Sequence, residues 1–403
     1  MKIYNSKHES IALFSTFLLI PLSGLATDIY LPSFPDMQKT FAVSSTGIQM
    51  TLSYFLISYG LSMLFVGPLV DSFGRYKLVL MALLIFAGTN FALALAPNIQ
   101  FIYAMRVLQG ICTAFIVVGK RAFLVDIFSG KKLQSYMSML SIIWAIAPIT
   151  APFIGGYLQQ LWGWQANFHL LGIYAIFVLL LELIFSGEAS RALKPFHPQQ
   201  ILASYKAVLQ APDFFLGLFV LGTAYSMIMV FAMSAPFLVE NHFGFSSVET
   251  GYCALLSGVG VMLGGFMGKA NIHKPLVKKL AFAILSIMFM AVIMYISGLY
   301  SKSIVWVMLF VLGLHTASGF IYNSYFTYCL TRFPQYAGVS SGLTSGGSYL
   351  FTSLLSYAMV SMLAINNPSQ LALSYLGFAL LIGAAWVPLR LVFRKLVAVK
   401  RQG

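Results

Sequence analysis

Gly-Pro-Leu-Val-Asp-Ser-Phe-Gly-Arg-Tyr-Lys, at residues 67–77, is a short polar turn between two long apolar segments. It holds two opposite charges, Asp71 and Arg75, four residues apart. Its two glycines, Gly67 and Gly74, allow a tight turn and close approach of the flanking chain. The charges can pair with each other or with the dipoles of helix ends. The stretch therefore predicts a turn between two helices, and the flanking segments decide what kind of helices these are.

The composition is that of an integral membrane protein. Of the 403 residues, 59% are hydrophobic and only 8% are charged, whereas a soluble globular protein has about 25% charged residues. The three cysteines lie in apolar segments without metal-ligand spacing, so we interpret them as packing residues. The chain has no phosphate-binding Walker loop and no nucleophile motif. These absences disfavour an enzyme, an ATP-driven pump and a metal site.

Long apolar runs recur along the whole chain. An apolar run of about 20 residues crosses the hydrocarbon layer as a helix. The chain has runs at 10–32, 45–70, 77–97, 99–125, 134–160, 165–187, 213–238, 247–268, 278–299, 304–329, 337–364 and 370–392. We therefore predict an all-α membrane protein with twelve transmembrane helices.

A polar, proline-containing segment at the middle of the chain divides these helices into two sets of six. We predict an N-terminal six-helix bundle at 1–187, a cytoplasmic central loop at 188–212, and a C-terminal six-helix bundle at 213–403 that ends in a short basic tail.

The basic residues set the orientation. With a cytoplasmic N-terminus, 21 of the 24 Lys and Arg residues fall on the inside, Lys39 and Lys302 fall outside, and Arg106 lies within a span. Lys and Arg concentrate in cytoplasmic loops, so both termini are predicted to be cytoplasmic. The net charge of +14 then reflects topology and attraction to anionic lipid, and it requires no nucleic-acid partner.

The two halves share an internal repeat. Phe-Ala-Val-Ser-Ser at 41–45 recurs as Phe-Gly-Phe-Ser-Ser at 243–247, and the same offset of 202 carries Lys77-Leu78 onto Lys279-Leu280. This offset of 202 residues is nearly half of the chain length. The repeat predicts two pseudo-symmetric copies of a six-helix unit.

The turn at 67–77 resembles the loop signature of the major facilitator superfamily, Gly-x-x-x-Asp-x-x-Gly-Arg-[Arg/Lys], with Tyr76 interrupting the usual basic pair. The resemblance implies the major facilitator fold, in which two six-helix halves work by alternating access. It also implies that Gly67, Asp71, Gly74 and Arg75 act in gating rather than in substrate contact.

Asp28 and Arg106 are charged residues near or within apolar runs. Asp28, at the end of the first run, is either an interfacial residue or an acid kept inside the bundle for function. Arg106 begins Arg-x-x-Gln-Gly, which resembles the fourth-helix signature of the same superfamily. Counting residues puts Arg106 about 8 Å and Asp28 about 6 Å from the outer face. They are thus predicted to form a charge pair, and the sequence leaves open whether Asp28 carries a proton or only holds two helices together.

Residues 147–156, Ala-Pro-Ile-Thr-Ala-Pro-Phe-Ile-Gly-Gly, resemble the antiporter signature of the fifth helix, with Ala151 in place of the first glycine. Its matching positions are Pro148, Pro152, Gly155 and Gly156. Together with Asp-x-Tyr-Leu-Pro at 28–32 and the stretch 333–341, this resembles the Bcr/CflA-like branch of the drug:proton antiporter group. Lys120 departs from the apolar residue usual in that branch.

Other polar and aromatic residues are secondary candidates. Glu182 is predicted at the membrane interface and His315 as a hydrogen-bonded packing residue, with proton binding as the alternative for both. A possible substrate cavity would be lined by Tyr30, Tyr54, Tyr59, Trp144, Tyr225, Tyr322, Asn323 and Tyr325.

We expect a monomeric, proton-coupled secondary transporter that exports a small organic molecule, a drug or drug-like compound, across a bacterial inner membrane. The proton gradient supplies the energy, and no cofactor or metal is expected. One alternative is a carrier of the same fold for a siderophore, an amino acid or another metabolite, in either direction. A second is a non-transporting membrane sensor.

Overall fold

The computed structural model describes residues 2–189, 193, 197–300 and 303–402, without the side chains of 6, 141, 142, 144, 145, 337 and 396–402. Within this part the chain is helical apart from turns and one isolated parallel bridge between Ile3 and Glu188. It divides into two compact units, Met1–His197 and Pro198–Gly403.

The helices of the N-terminal unit are α1 (Glu9–Leu19), α2 (Leu22–Asp28), α3 (Phe34–Phe41), α4 (Ser45–Phe73), α5 (Arg75–Ala94), α6 (Ile99–Ile127), α7 (Gly130–Trp162) and α8 (Gln165–Phe185). Those of the C-terminal unit are α9 (Pro198–Leu209), α10 (Pro212–Phe237), α11 (Ser247–Ala270), α12 (Leu276–Tyr300), α13 (Ile304–Thr331), α14 (Ala337–Gly342), α15 (Ser348–Leu363) and α16 (Pro368–Gln402). A π-helical turn, Leu343–Gly347, joins α14 to α15. The segment predicted as the central loop, 188–212, contains α9.

The all-helical membrane fold is confirmed. Ten helical segments of the described chain are long and apolar enough to cross a membrane. The other two predicted spans, 134–160 and 337–364, fall on α7 and on α14–α15 with their connecting turn.

The first predicted span, 10–32, is a series of short helices rather than one continuous helix. The helix α1 ends at Leu19, two residues before Pro21, and α2 ends at Asp28. Proline has no N–H to donate and its ring clashes with the preceding turn, so it interrupts a helix. Asp28 lies at the end of the second short helix, shortly before Pro32, rather than mid-helix.

The sequence repeat corresponds to one helix start that occurs in both units. Ala42 (φ 50°) and Gly244 (φ 75°) both adopt the left-handed conformation, 202 residues apart. Two residues later a serine caps the next helix: Ser44 Oγ accepts from Gly47 N at 3.1 Å, and Ser246 Oγ accepts from Val248 N at 3.3 Å. Serine is a preferred N-cap. The repeat is therefore a turn and cap that begin α4 and α11, and it supports the predicted pseudo-symmetry.

Glycines bring α11 and α13 into backbone contact in the C-terminal unit. A Cβ atom on Gly264 would lie 2.1 Å from the carbonyl oxygen of Thr316, and one on Gly319 would lie 2.4 Å from that of Val261. Small residues at such seams let membrane helices approach closely, which compensates for the missing hydrophobic driving force between helices in lipid.

We predict that Gly264→Ala destabilises the protein by about 2 kcal/mol, because a methyl group forced into a packed seam displaces backbone. Gly88→Ala is the matched control, since no atom lies within 4 Å of its Cβ position and alanine is the better helix former. Thermal unfolding of the two purified variants in detergent measures the difference. Equal melting temperatures would contradict the assigned seam.

Candidate functional site

Arg106 is fully buried inside the N-terminal unit. Its Nη1 donates to the carbonyl oxygen of Ala26 at 3.0 Å and to Oε1 of Gln109 at 2.7 Å. Its Cζ lies 4.5 Å from the ring centroid of Tyr30 and 4.4 Å from that of Phe55. Aromatic faces attract cations, most strongly away from water. The charge of Arg106 is thus stabilised by dipoles and two rings.

The Arg-x-x-Gln-Gly pattern has a structural role at each defined position. Gln109, one turn after Arg106, also donates from Nε2 to Oδ1 of Asn90 at 2.9 Å, which ties α6 to α5. A Cβ atom on Gly110 would lie 2.6 Å from the carbonyl oxygen of Phe55. The glycine therefore lets α6 approach α4 closely enough for Arg106 to reach Phe55.

Asp28 lies in the same layer as Arg106, but the predicted direct charge pair is not formed. No ion pair joins the two side chains in the described structure, although Arg106 contacts residues 26 and 30 on either side of Asp28. Asp28 is 3% exposed. Its Oδ2 and the Nη2 of Arg106 are both buried without a hydrogen-bond partner among the described residues. The site thus holds one acceptor and one donor that remain free to bind, and the proton-coupling role of the two residues stays a prediction.

The antiporter-like stretch of α7 packs along α2 on both sides of Asp28. A Cβ atom on Gly24 would lie 2.9 Å from Cβ of Ala147 and 3.0 Å from Cδ of Pro148. A Cβ atom on Gly155 would lie 1.7 Å from the carbonyl oxygen of Ile29. Pro152 and Gly156, the other positions of the stretch, are also buried. The motif therefore forms a backbone seam against the helix that carries Asp28.

The predicted ion pair of the 67–77 turn is present. Arg75 Nη2 donates to Oδ1 of Asp71 at 2.8 Å, and its Nη1 donates to the carbonyl oxygen of Ala122 at 2.7 Å and to Asp126. Asp126, on α6, is a partner that the sequence did not predict. The cluster links the ends of α4 and α6 to the start of α5.

The two glycines of the turn differ in role. Gly74 has φ 91°, a conformation that other residues rarely adopt, whereas no atom lies within 4 Å of a Cβ on Gly67. Only Gly74 is thus required by the observed geometry.

Glu182, in the last turn of α8, is fully buried within the N-terminal unit, and its predicted position at the membrane interface stays a prediction. Its Oε2 accepts from Nζ of Lys120 at 2.6 Å, and its Oε1 accepts from the hydroxyl of Ser15. Lys120 supplies the opposite charge that a buried carboxylate requires, and this pair was not predicted from the sequence. The signal was available in the sequence, since Lys120 is where the chain departs from the apolar residue usual in the branch.

His315 is the hydrogen-bonded packing residue that the sequence predicts. Its Nδ1 lies 2.7 Å from Oγ of Ser257, and its Nε2 lies 3.1 Å from the hydroxyl oxygen of Tyr375. Both ring nitrogens are therefore occupied by neutral groups.

The aromatic residues proposed for the cavity are dispersed between the two units. Tyr30, Tyr59 and Tyr325 are buried within their own unit. Tyr54 packs on Tyr103 at 4.9 Å between centroids, Asn323 is exposed, and the side chain of Trp144 lies outside the described part. Tyr225, half-buried, has its ring 5.3 Å from that of Tyr322 and 6.0 Å from that of Tyr349. This last cluster is the only group of the predicted residues that the described structure brings together, and substrate contact stays a prediction for all of them.

We predict that Glu182→Gln destabilises the protein by about 3 kcal/mol, because it leaves the buried charge of Lys120 without a partner. The double variant Lys120→Met, Glu182→Leu removes both charges and should recover most of the loss. Thermal unfolding in detergent measures both variants. As a control, Glu9→Gln breaks the exposed pair with Lys132 and should change little. A double variant no more stable than Glu182→Gln would contradict this account.

Comparison with known proteins places this geometry in a family. The family model described as Major Facilitator Superfamily matches residues 16–356. The chain is 26% identical to the uncharacterized MFS-type transporter YdgK of Bacillus subtilis, over 90% of each protein. It is 24% identical to a bicyclomycin resistance protein homolog of Haemophilus influenzae, over 86% of this chain and 90% of that one. It is also 24% identical to multidrug resistance protein D of Escherichia coli, over 92% and 94%.

Solved structures show the same fold at lower sequence identity. A bacterial homolog to the human lysosomal transporter Spinster superposes with a TM-score of 0.70 at 17% identity, covering 97% of this chain and 98% of its own. The nucleoside transporter NupG superposes with a TM-score of 0.69 at 14% identity, covering 96% and 100%. With the family match and the relatives above, these findings confirm the resemblance to the Bcr/CflA-like branch. The chain belongs to the major facilitator superfamily, and it is a membrane transporter rather than an enzyme.

Proposed function

We propose that this transporter exports a small organic molecule, a drug or drug-like compound, across the bacterial inner membrane in exchange for protons. It works as a monomer by alternating access, with the proton gradient as its only energy source and both termini in the cytoplasm. The drug-resistance names of two relatives support the cargo class. The excess of Lys and Arg in the predicted inner segments supports the orientation.

The buried carboxyl group of Asp28 is the observation that carries the proposal. An ionised carboxylate inside a membrane protein is costly unless it is paired or hydrated. Asp28 has a buried oxygen without a partner, and the nearby Arg106 has an unpartnered Nη2. Binding a proton would remove the negative charge of Asp28 and change the balance of charge around Arg106. A carboxyl group with a free oxygen beside a fixed cation is suited to bind and release a proton.

The packing around Asp28 offers a way to connect protonation with helix movement. Asp28 is the last residue of α2, and the next residue, Ile29, lies against Gly155 of α7. A change in the position of this helix end would displace α7 because the seam has no spare space. In the proposed cycle a proton enters from outside, binds Asp28, and leaves to the inside, while substrate moves outward. The cluster of Arg75, Asp71 and Asp126 holds one of the two conformations.

We predict that Asp28→Asn abolishes gradient-driven export while the protein folds normally, because asparagine resembles the protonated acid and cannot release a proton. The measurement is substrate-dependent proton flux in proteoliposomes under an imposed pH gradient, over a panel of drug-like compounds and metabolites. The matched control is Asp36→Asn, which removes the carboxylate that accepts from Gln159 at 3.1 Å and should leave coupling intact.

The outcomes separate the alternatives. Full gradient-driven export by the Asp28→Asn variant would overturn the proposed role of Asp28. Flux only with metabolites, or inward movement of substrate, would favour a metabolite carrier. Absence of substrate-dependent proton flux with every compound, in a protein that melts cooperatively, would favour a sensor.

A further inference from the structure

The helix that follows the gating turn begins without a side-chain cap of its own. Its N-cap is Gly74, whose φ of 91° suits glycine and which has no side chain to accept a hydrogen bond. The first N–H groups of a helix have no partner within the helix and require one from elsewhere. The backbone of the turn thus requires a glycine at the position where helices usually carry a capping residue.

Glu188 provides the missing cap from a distant part of the chain. Its Oε2 accepts from the backbone N–H of Tyr76, the second residue of α5, at 3.0 Å. Glu188 is 7% exposed, and its negative charge lies at the positive end of the helix dipole, where a carboxylate is favourable. The capped residue is adjacent to Arg75, which binds Asp71 and Asp126.

The N-terminal segment holds Glu188 in place. Tyr4 N donates to the carbonyl oxygen of Glu188 at 3.0 Å, and Glu188 N donates to that of Lys2 at 2.8 Å. The ammonium group of Lys2 donates to the last-turn carbonyl oxygens of α8, those of Leu183 at 2.7 Å and Ile184 at 2.6 Å. Both backbone groups of Glu188 and the end of α8 are therefore fixed by residues 2–4.

Tyr76 fits this arrangement better than the basic residue usual at its position. Its hydroxyl group donates to the carbonyl oxygen of Glu182 at 3.3 Å, in the last turn of α8. The side chain of Tyr76 thus contacts the same helix end that Lys2 caps. The departure from the family signature at Tyr76 thus coincides with a hydrogen bond that a lysine or arginine side chain would not make in the same way.

We propose that residues 2–4 form an N-terminal strap that positions Glu188 as the cap of α5, and that this cap holds the gating turn in its closed cluster. Glu188 acts as a positioning residue through the backbone next to Arg75. It is also the first residue of the segment that joins the two units, so the strap fixes one end of that segment. The inference rests on the gating role of the turn and is independent of substrate and of Asp28.

The test measures the accessibility of the turn itself. Ser72→Cys places a reporter thiol in the last turn of α4, and the three native cysteines are buried, so they should react slowly with a maleimide. In the full chain, Glu188→Ala should raise the labelling rate about fivefold, the effect expected for loss of one helix cap. Deletion of residues 2–4 should raise it similarly. Combining both changes should add little, because both act through the same cap.

Two comparisons keep the result interpretable. Glu188→Gln retains an acceptor oxygen and should give an intermediate rate, whereas Glu9→Gln, an acid on α1 that pairs with Lys132, should leave labelling unchanged. Melting temperatures identify any variant whose labelling reflects global unfolding. If Glu188→Ala is such a variant, the labelling rates of Glu188→Gln and of the deletion test the proposal in its place. Unchanged labelling rates in these variants would overturn the proposal. So would a combined variant whose rate increase equals the product of the increases caused by Glu188→Ala and by the deletion.

Discussion

A charge inside a membrane protein must be compensated by an opposite charge, by dipoles or by water. The N-terminal unit uses two different solutions. Lys120 and Glu182 form a complete pair at 2.6 Å, and such a closed arrangement serves structure. Arg106 is instead held by two carbonyl groups, an amide and two aromatic rings. Because neutral groups satisfy most of Arg106, the carboxylate of Asp28 is not consumed by a salt bridge, and this difference supports Asp28 rather than Glu182 as the proposed site for exchangeable protons.

Backbone seams determine where that site can exist. Gly110 brings α6 onto α4, and Gly155 brings α7 onto the end of α2. The division of the first span into short helices also contributes to the site. The last carbonyl groups of a helix have no intrahelical partner and can therefore accept hydrogen bonds from other residues. Arg106 uses one of these, the carbonyl of Ala26 in the last turn of α2. The helix interruption, the glycine seams and the buried arginine thus depend on one another. Broken helices supply ion and substrate sites in other transporters for the same reason.

Much of the fold was predictable from the sequence, and the partners within the site were less so. Apolar run lengths gave the spans, and the repeat at 41–45 and 243–247 proved to be one turn-and-cap unit used twice. The Asp71–Arg75 pair followed from a spacing of four residues. The partner of Glu182 was missed because counting along one helix gives depth but not the neighbouring helix that covers it. Most partners of Arg106 were missed because four of them are two backbone carbonyl groups and two ring faces, which carry no sequence signal. The capping role of Glu188 could not be predicted because its partner is the backbone N–H of a residue 112 positions away.

The pseudo-symmetry of the fold does not extend to its chemistry. Applying the offset of 202 to Asp28 and Arg106 leads to Val230 and Met308, two apolar residues. The buried histidine of the C-terminal unit bonds only neutral groups, and its buried acid Asp213 lies in the first turn of α10, where it binds Arg332 at 2.5 Å. A duplicated scaffold therefore supplies matching helices, caps and seams to both units, while the buried Asp28 and Arg106 belong to the N-terminal unit alone. In the proposed cycle, a proton bound at Asp28 acts directly on only one of the two units, and the seam between α2 and α7 is the contact through which we propose that its binding energy reaches the rest of that unit.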